Sequence, residues 1–316
     1  MNRWFHLAIV LLALVPFALP SQFLVNLAML TAFSALLGQG WNIAGGFGGL
    51  TSFGHAMFFG VGAYAVAIMQ TRWGINPWLG LPAAAVLGAL VGAAVGLAAF
   101  RAGLRGSYFA LVTLAVAEVF RILANSLDIT RGGLGILIPL KPTLMNFQFA
   151  DRRTAYAMVL ALLVIAMLIA AWLRRSRFGA RLAAVRENED AGAALGVDLV
   201  RIKTQALALS GAITATGGVL YAQMFLYIDP SIAFGVERSV EMLLVAMIGG
   251  AGTVWGPVLG AIALHLIADT SRVLIQTPGF APMLYGVVLL AIIAFLPHGI
   301  AGLRFKSLSR LRARGG

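Results

Sequence analysis

The chain has 316 residues, 60% of them hydrophobic and only 11% charged, with a mean hydropathy of +0.93. Soluble domains carry about a quarter charged residues, so an ordinary soluble enzyme, a disordered tail and a secreted disulfide scaffold are excluded. The net charge of +12 comes from basic residues clustered between apolar runs, a pattern that suits loops beside anionic lipid and not nucleic-acid binding.

Ten apolar stretches read as spans, at 5–20, 23–44, 54–70, 77–100, 107–125, 154–173, 204–227, 239–250, 256–275 and 281–299. The first could be a signal peptide. No A-x-A-like site follows Pro20, however, and the next apolar run begins at Phe23, so it reads as a transmembrane helix. The expected fold is an all-α polytopic membrane protein, a single transmembrane domain over 1–316 with glycine-rich broken segments. Arg3, Arg101 to Arg105, Arg174 to Lys203 and Arg304 to Arg314 together hold 15 of the 23 basic residues. Even numbers of spans separate these clusters. All of them therefore fit on the cytoplasmic side, as do both termini.

Between the second and third spans lies GGFGGLTSFGH (45–55), and between the eighth and ninth lies GGAGTVWGP (249–257). Glycine breaks helix, and broken backbone at membrane depth needs protein or a water-filled cavity around it. Gly45, Gly46, Gly48 and Ser52, with Gly249, Gly250 and Gly252, are therefore candidates for a translocation path or gate. The likeness of GGFG to GGAG suggests an internal repeat. In the fourth span Gly88, Gly92 and Gly96 share one helical face, the mark of close helix packing.

The segment 174–203 holds seven basic residues and four of the eleven acidic ones. Its centre reads as a short helix. Asn188 is the N-cap, Glu189 and Asp190 lie in the first turn where the helix dipole favours negative charge, and Gly196 is the stop. Two turns are too short to stand alone in water. The helix either lies against its own chain or docks into a groove on a partner.

Several polar groups fall within spans, where charge is costly. Glu118 and Arg121 can pair at i, i+3. His265, Asp269 and Arg272 share a face, and Glu241 sits near the outer end of its span. Each is either a structural pair or a group that lines the path or holds one conformation. His55 either hydrogen-bonds loop backbone or lines the path.

No GxxxxGK[ST], G-x-S-x-G or HExxH occurs, there is no cysteine, and the four histidines form no HxxxH pair. The sequence offers no nucleotide, catalytic, cofactor or metal site.

The run Glu189-Asp190-Ala191-Gly192-Ala193-Ala194-Leu195-Gly196 is similar to the EAA-type loop of ABC importer permeases. LTSFGHAMFFGVGAY (50–64), LRGSYFALVTLAVAEVFR (104–121), FGARLAAVRENEDAGAALGVD (178–198), MIGGAGTVWGPVLGA (247–261) and LYGVVLLAIIAFLPHGIAGL (284–303) resemble the branched-chain amino acid ABC transporter permease family, in particular its M-type subunit. The resemblance implies a multi-pass permease subunit of the bacterial inner membrane that carries leucine, isoleucine, valine or related small amino acids and amides. Its implied partners are a second homologous permease, two cytoplasmic ATPase subunits that use ATP and Mg, a periplasmic or lipid-anchored binding protein, and membrane lipid. In that reading 174–203 is the coupling loop, with Arg186, Glu187, Asn188, Glu189, Asp190, Ala194 and Gly196 meeting the ATPase. Gly45, Gly46, Gly48, Ser52, His55, Glu118, Gly249, Gly250 and Gly252 would line or gate the path. Arg131 in ITRGGLGI (129–136), and Thr204-Gln205-Ala206-Leu207, depart from the family pattern and bear on the substrate more than the class. The alternative is a stand-alone secondary transporter or channel for a small polar solute. It would need mid-membrane carboxylates, and the chain offers mainly Glu118.

Overall fold

Among the described residues the apolar runs fold into eight helices of 14 residues or more. They are α1 (Gln22–Trp41), α2 (His55–Arg72), α3 (Gly80–Arg101), α4 (Gly106–Ser126), α5 (Arg152–Leu173), α8 (Leu199–Phe225), α10 (Val236–Gly249) and α11 (Gly256–Leu274). Between them lie three short helices, α6 (Arg177–Glu187), α7 (Glu189–Ala194) and α9 (Pro230–Phe234). The computed structural model describes residues 21–149 and 151–274, with single positions at 12, 283, 286–287 and 299–301. The expected spans 5–20 and 281–299 fall, apart from those positions, outside the described residues. Four stretches, 22–47, 77–101, 106–126 and 152–173, are long and apolar enough to cross a membrane by length and composition. The chain is an all-α polytopic membrane protein.

Two helices differ from their expected spans for local reasons. α8 begins at Leu199 and not at 204, because the Asp198 carboxylate caps it by accepting from the Arg201 N–H at 2.9 Å. Lys203, expected in a loop, is thereby carried into the helix. α1 ends in a π-helical turn, Asn42–Phe47, and the chain then runs without regular structure to His55. Such turns are rare and tend to sit at functional positions.

The glycine stripe of α3 packs backbone to backbone on α8. A Cβ at position 88 would lie 2.4 Å from the Gly211 carbonyl oxygen, and one at 92 would lie 2.6 Å from that of Leu207. Lipid tails supply no hydrophobic drive to join two apolar helices, so close van der Waals contact of this kind does the work.

The up-and-down course of the helices sorts the connections to two ends of the bundle. One end gathers 42–54, 102–105, 174–198 and 250–255. The other gathers 73–79, 127–149 and 226–235. At this second end β1 (Ile136–Leu137) pairs antiparallel with β2 (Tyr227–Ile228), in register Ile136↔Ile228 and Leu137↔Tyr227. Short 3-10 turns at 128–130, 132–134 and 144–146 fold the rest of the segment into a lobe. Arg72 Nη2 donates to the Asp128 carbonyl at 2.9 Å, and Trp78 Nε1 to that of Leu144 at 2.6 Å. Gln223 Nε2 donates to Gln70 Oε1 at 2.8 Å.

Candidate functional site

The first end of the bundle carries a hook made of α6 and α7. In α6, Phe178, Leu182 and Val185 recur at i, i+4 and i+7, and the last two are fully buried. The arginines between them hide that spacing in the sequence. Asn188, in extended conformation, caps α7: its Oδ1 accepts from the N–H groups of Asp190 and Ala191, both at 3.0 Å. Gly196, at φ +79°, ends the hook in the left-handed region. Position 192 packs on Val185, where a Cβ would sit 3.3 Å away, so α7 folds back on α6.

Two adjacent acids in α7 share Arg105 but differ in burial. Glu189 turns inward: its Oε2 lies 2.9 Å from Arg105 Nε, and its Oε1 pairs with Lys203 Nζ. The Lys203 side chain is only 4% exposed, and its ammonium lies 5.4 Å from the centre of the Phe100 ring. A lysine enclosed this way needs its carboxylate, because the charge is otherwise uncompensated. Asp190 stays outside, 84% exposed, 3.2 Å from Arg105 Nη1. Ala193, Ala194 and Leu195 are also exposed, Leu195 at 81%. Glu187 is exposed and lies 3.9 Å from Arg186 Nη2. Sequence reasoning placed Glu189 and Asp190 together in a dipole role. It missed Arg105, Lys203 and Leu195. Lys203 is 14 residues beyond Glu189, too far for helical periodicity to connect them.

Arg186 joins the hook to both glycine-rich segments. Its Nη1 donates to the Gly46 carbonyl at 2.7 Å. Gly46 sits in the last turn of the π-helical extension of α1, where carbonyls lack partners further along the helix, and a guanidinium suits the negative end of the dipole there. A hydrogen bond of this charged kind contributes about 1.5–3 kcal/mol. Asn42, fully buried, ties the second segment to the first. Its Oδ1 accepts from the Gly252 N–H at 2.7 Å, and its Nδ2 donates to the Thr253 carbonyl at 2.9 Å. Gly46 thus stands beside Gly252 and brings the two glycine-rich segments together, a proximity the sequence did not disclose.

His55 begins α2 and is fully enclosed. The Ser210 hydroxyl donates to the Gly40 carbonyl at 2.7 Å, so Ser210 Oγ accepts from His55 Nε2–H at 2.8 Å. That leaves Nδ1 to accept from the Ser52 hydroxyl at 3.1 Å. Ser52 Oγ in turn accepts from the Gly54 N–H, and the Ser52 carbonyl from Trp41 Nε1. Imidazole and hydroxyls join α2, α8 and the end of α1 in one hydrogen-bonded chain.

Glu118 and Arg121 pair on α4, with Arg121 Nε donating to Glu118 Oε2 at 2.8 Å. Their side chains are 41% and 37% exposed, among exposed Leu111, Val119 and Ile122. Glu241 is half-buried between Arg238 Nη1, at 2.9 Å, and the Ser34 hydroxyl, at 2.9 Å. Ser34 Oγ accepts in turn from His265 Nε2–H at 3.0 Å, linking α10, α1 and α11. The side chains of Asp269 and Arg272 lie outside the described residues.

A bundle of long apolar helices with charged groups set into it defines an integral membrane protein. Residues 23–295 match the family described as branched-chain amino acid transport system / permease component, and the chain belongs to that family. It is 30% identical to the high-affinity branched-chain amino acid transport system permease protein LivM of Escherichia coli, over 95% of this chain and 75% of that one. It is 24% identical to the E. coli permease LivH of the same system, over 89% of this chain and 95% of that one. Over 77% of both chains it is 28% identical to a probable LivM of Methanocaldococcus jannaschii. No solved structure matches the chain.

Proposed function

We propose that this chain is the M-type permease subunit of an ATP-driven importer for branched-chain amino acids, the substrates named for its relatives. It pairs with a second, homologous permease in the bacterial inner membrane. Two cytoplasmic ATPases that use ATP and Mg bind the hook, and a periplasmic or lipid-anchored binding protein delivers substrate from the other side. The chain crosses the membrane ten times with both termini cytoplasmic, and the two glycine-rich segments are equivalent parts of an internal repeat.

The observation that carries this reading is the division of labour on α7. Glu189 holds the helix to the body, while Asp190, Ala194 and Leu195 present an exposed acidic and apolar apex, on which the Asp190 carboxylate touches only the edge of Arg105 among the described residues. A short helix so held and so exposed suits a groove on a partner. The second observation is the Glu118–Arg121 pair on an outward face of α4. Charged groups at membrane depth belong against protein or water, so this face borders the second permease or the path between the two subunits. The glycine-rich segments, packed against each other beside the hook, act in gating. ATP-driven closure of the ATPases shifts the population between two packed states.

The test is reconstitution in vesicles with and without the ATPases. Uptake is expected only with both ATPases and ATP. Asp190→Arg combined with Leu195→Asp is expected to abolish uptake while the protein still inserts. Uphill accumulation by the permease alone would overturn the proposal in favour of a stand-alone carrier.

A further inference from the structure

We infer that Arg186 is the positioning residue that makes the hook and the end of α1 move as one body, and that the glycines of both broken segments form its socket. The inference rests on the coupling reading given above and deepens it.

Three features converge on this side chain. Its guanidinium donates to the Gly46 carbonyl, at the last turn of the π-helical extension. Gly49, at φ +67°, turns the chain where a Cβ would lie 2.8 Å from Arg186 Cγ. Gly252, at φ +78° on the other segment, leaves room for the guanidinium: a Cβ there would lie 2.8 Å from Nη1 and 3.0 Å from the Gly46 oxygen. Side chains at either glycine would therefore be strained in backbone and would press on the arginine. The apolar side of α6 supports the same joint, since a Cβ at Gly48 would meet Leu182 Cδ1 at 3.4 Å.

Lysine cannot reproduce this fit, because it offers a point charge in place of the planar fork that lies between two backbones. The Arg186 guanidinium is engaged by the Gly46 carbonyl and by Glu187, and makes no ion pair with Asp190. It therefore serves as the joint between hook and membrane, whereas Asp190 and Leu195 serve as the surface. One further group marks the driven end as able to rearrange. Gln39, one turn before the π-helical segment, is fully buried, and neither amide atom has a hydrogen-bond partner among the described residues. A second arrangement of the end of α1 that satisfies this amide would be correspondingly favoured.

The experiment uses the complete importer in proteoliposomes. Nitroxide labels at Thr51→Cys and Ala183→Cys, both exposed positions in a chain without other cysteines and the second on α6 outside the α7 apex, report the distance across the joint. In the otherwise unaltered complex that distance is expected to stay the same between the nucleotide-free and ATP-trapped states. A shift of about 5 Å, one helical turn, would mean that the hook slides past α1 and would overturn the inference. Arg186→Ala is expected to keep ATP hydrolysis stimulated by the binding protein while uptake per ATP falls about tenfold. Arg186→Lys is expected to recover part of that loss. Normal uptake per ATP in Arg186→Ala sinks the joint but leaves the coupling reading intact, provided that Asp190→Arg stops transport. If Asp190→Arg is also silent, the coupling reading falls with it.

Discussion

At the hook end of the bundle, elements are joined by ions: Glu189 to Lys203 and Arg105, Arg186 to the Gly46 carbonyl. At the lobe end they are joined mainly by neutral groups, through the Gln223–Gln70 amide bond, the Trp78–Leu144 bond and the β1–β2 pairing, with one guanidinium bond from Arg72 to the Asp128 carbonyl and no carboxylate–cation pair between elements among the described residues. Charged contacts lose strength when one partner moves away from a buried site, and they can be reset by a binding subunit. Neutral backbone pairing has no such external handle. The contrast assigns the adjustable joint to the hook and the fixed one to the lobe.

The comparison breaks most visibly at Glu189. Glu189→Ala strands the enclosed Lys203 ammonium and is expected to lower stability by about 3–5 kcal/mol, seen as a depressed thermal midpoint of the purified protein. Replacing Lys203 with Met in the same chain should recover most of that loss. At the lobe end, Gln223→Leu removes the amide bond to Gln70 and should cost about 1–3 kcal/mol, with no change in uptake per ATP beyond what reduced stability explains. A specific fall in coupling there would blur the distinction between the two ends. Trp78→Phe keeps the edge-to-face contact with Phe147 and removes one hydrogen bond, so about 0.5–1.5 kcal/mol is expected, measured by denaturant unfolding. Asp190→Ala should cost least in stability, under about 1 kcal/mol for so exposed a pair, yet should reduce ATP-coupled uptake. Equal destabilisation by Glu189→Ala and Asp190→Ala would erase the inward and outward assignment.

What the sequence discloses follows from the range of the interactions. The cap at Asn188 and the stop at Gly196 are set by neighbours within three residues, so they could be read directly. The face of Gly88, Gly92 and Gly96 obeys helical spacing and was equally plain. Hydropathy located the long helices, although it misplaced the start of α8, because Lys203 resembles a loop residue until its distant carboxylate is known. The Gly46 carbonyl lies 140 residues from Arg186, and Ser210 lies 155 residues from His55. No periodicity connects such positions, and the convergence of the two glycine-rich segments was hidden for the same reason. The two-residue strands of the lobe are too short to leave an alternating pattern.

The contact between α3 and α8 has a mechanical consequence. With main chains touching at Gly88 and Gly92, no layer of side chains remains between the two helices to repack. Sliding or tilting one against the other would drive carbonyl oxygens into Cα atoms, so the pair behaves as a stiff plank. Any rocking of the permease must then pivot around that plank, and the helices free to swing are those whose interfaces are filled by deformable residues.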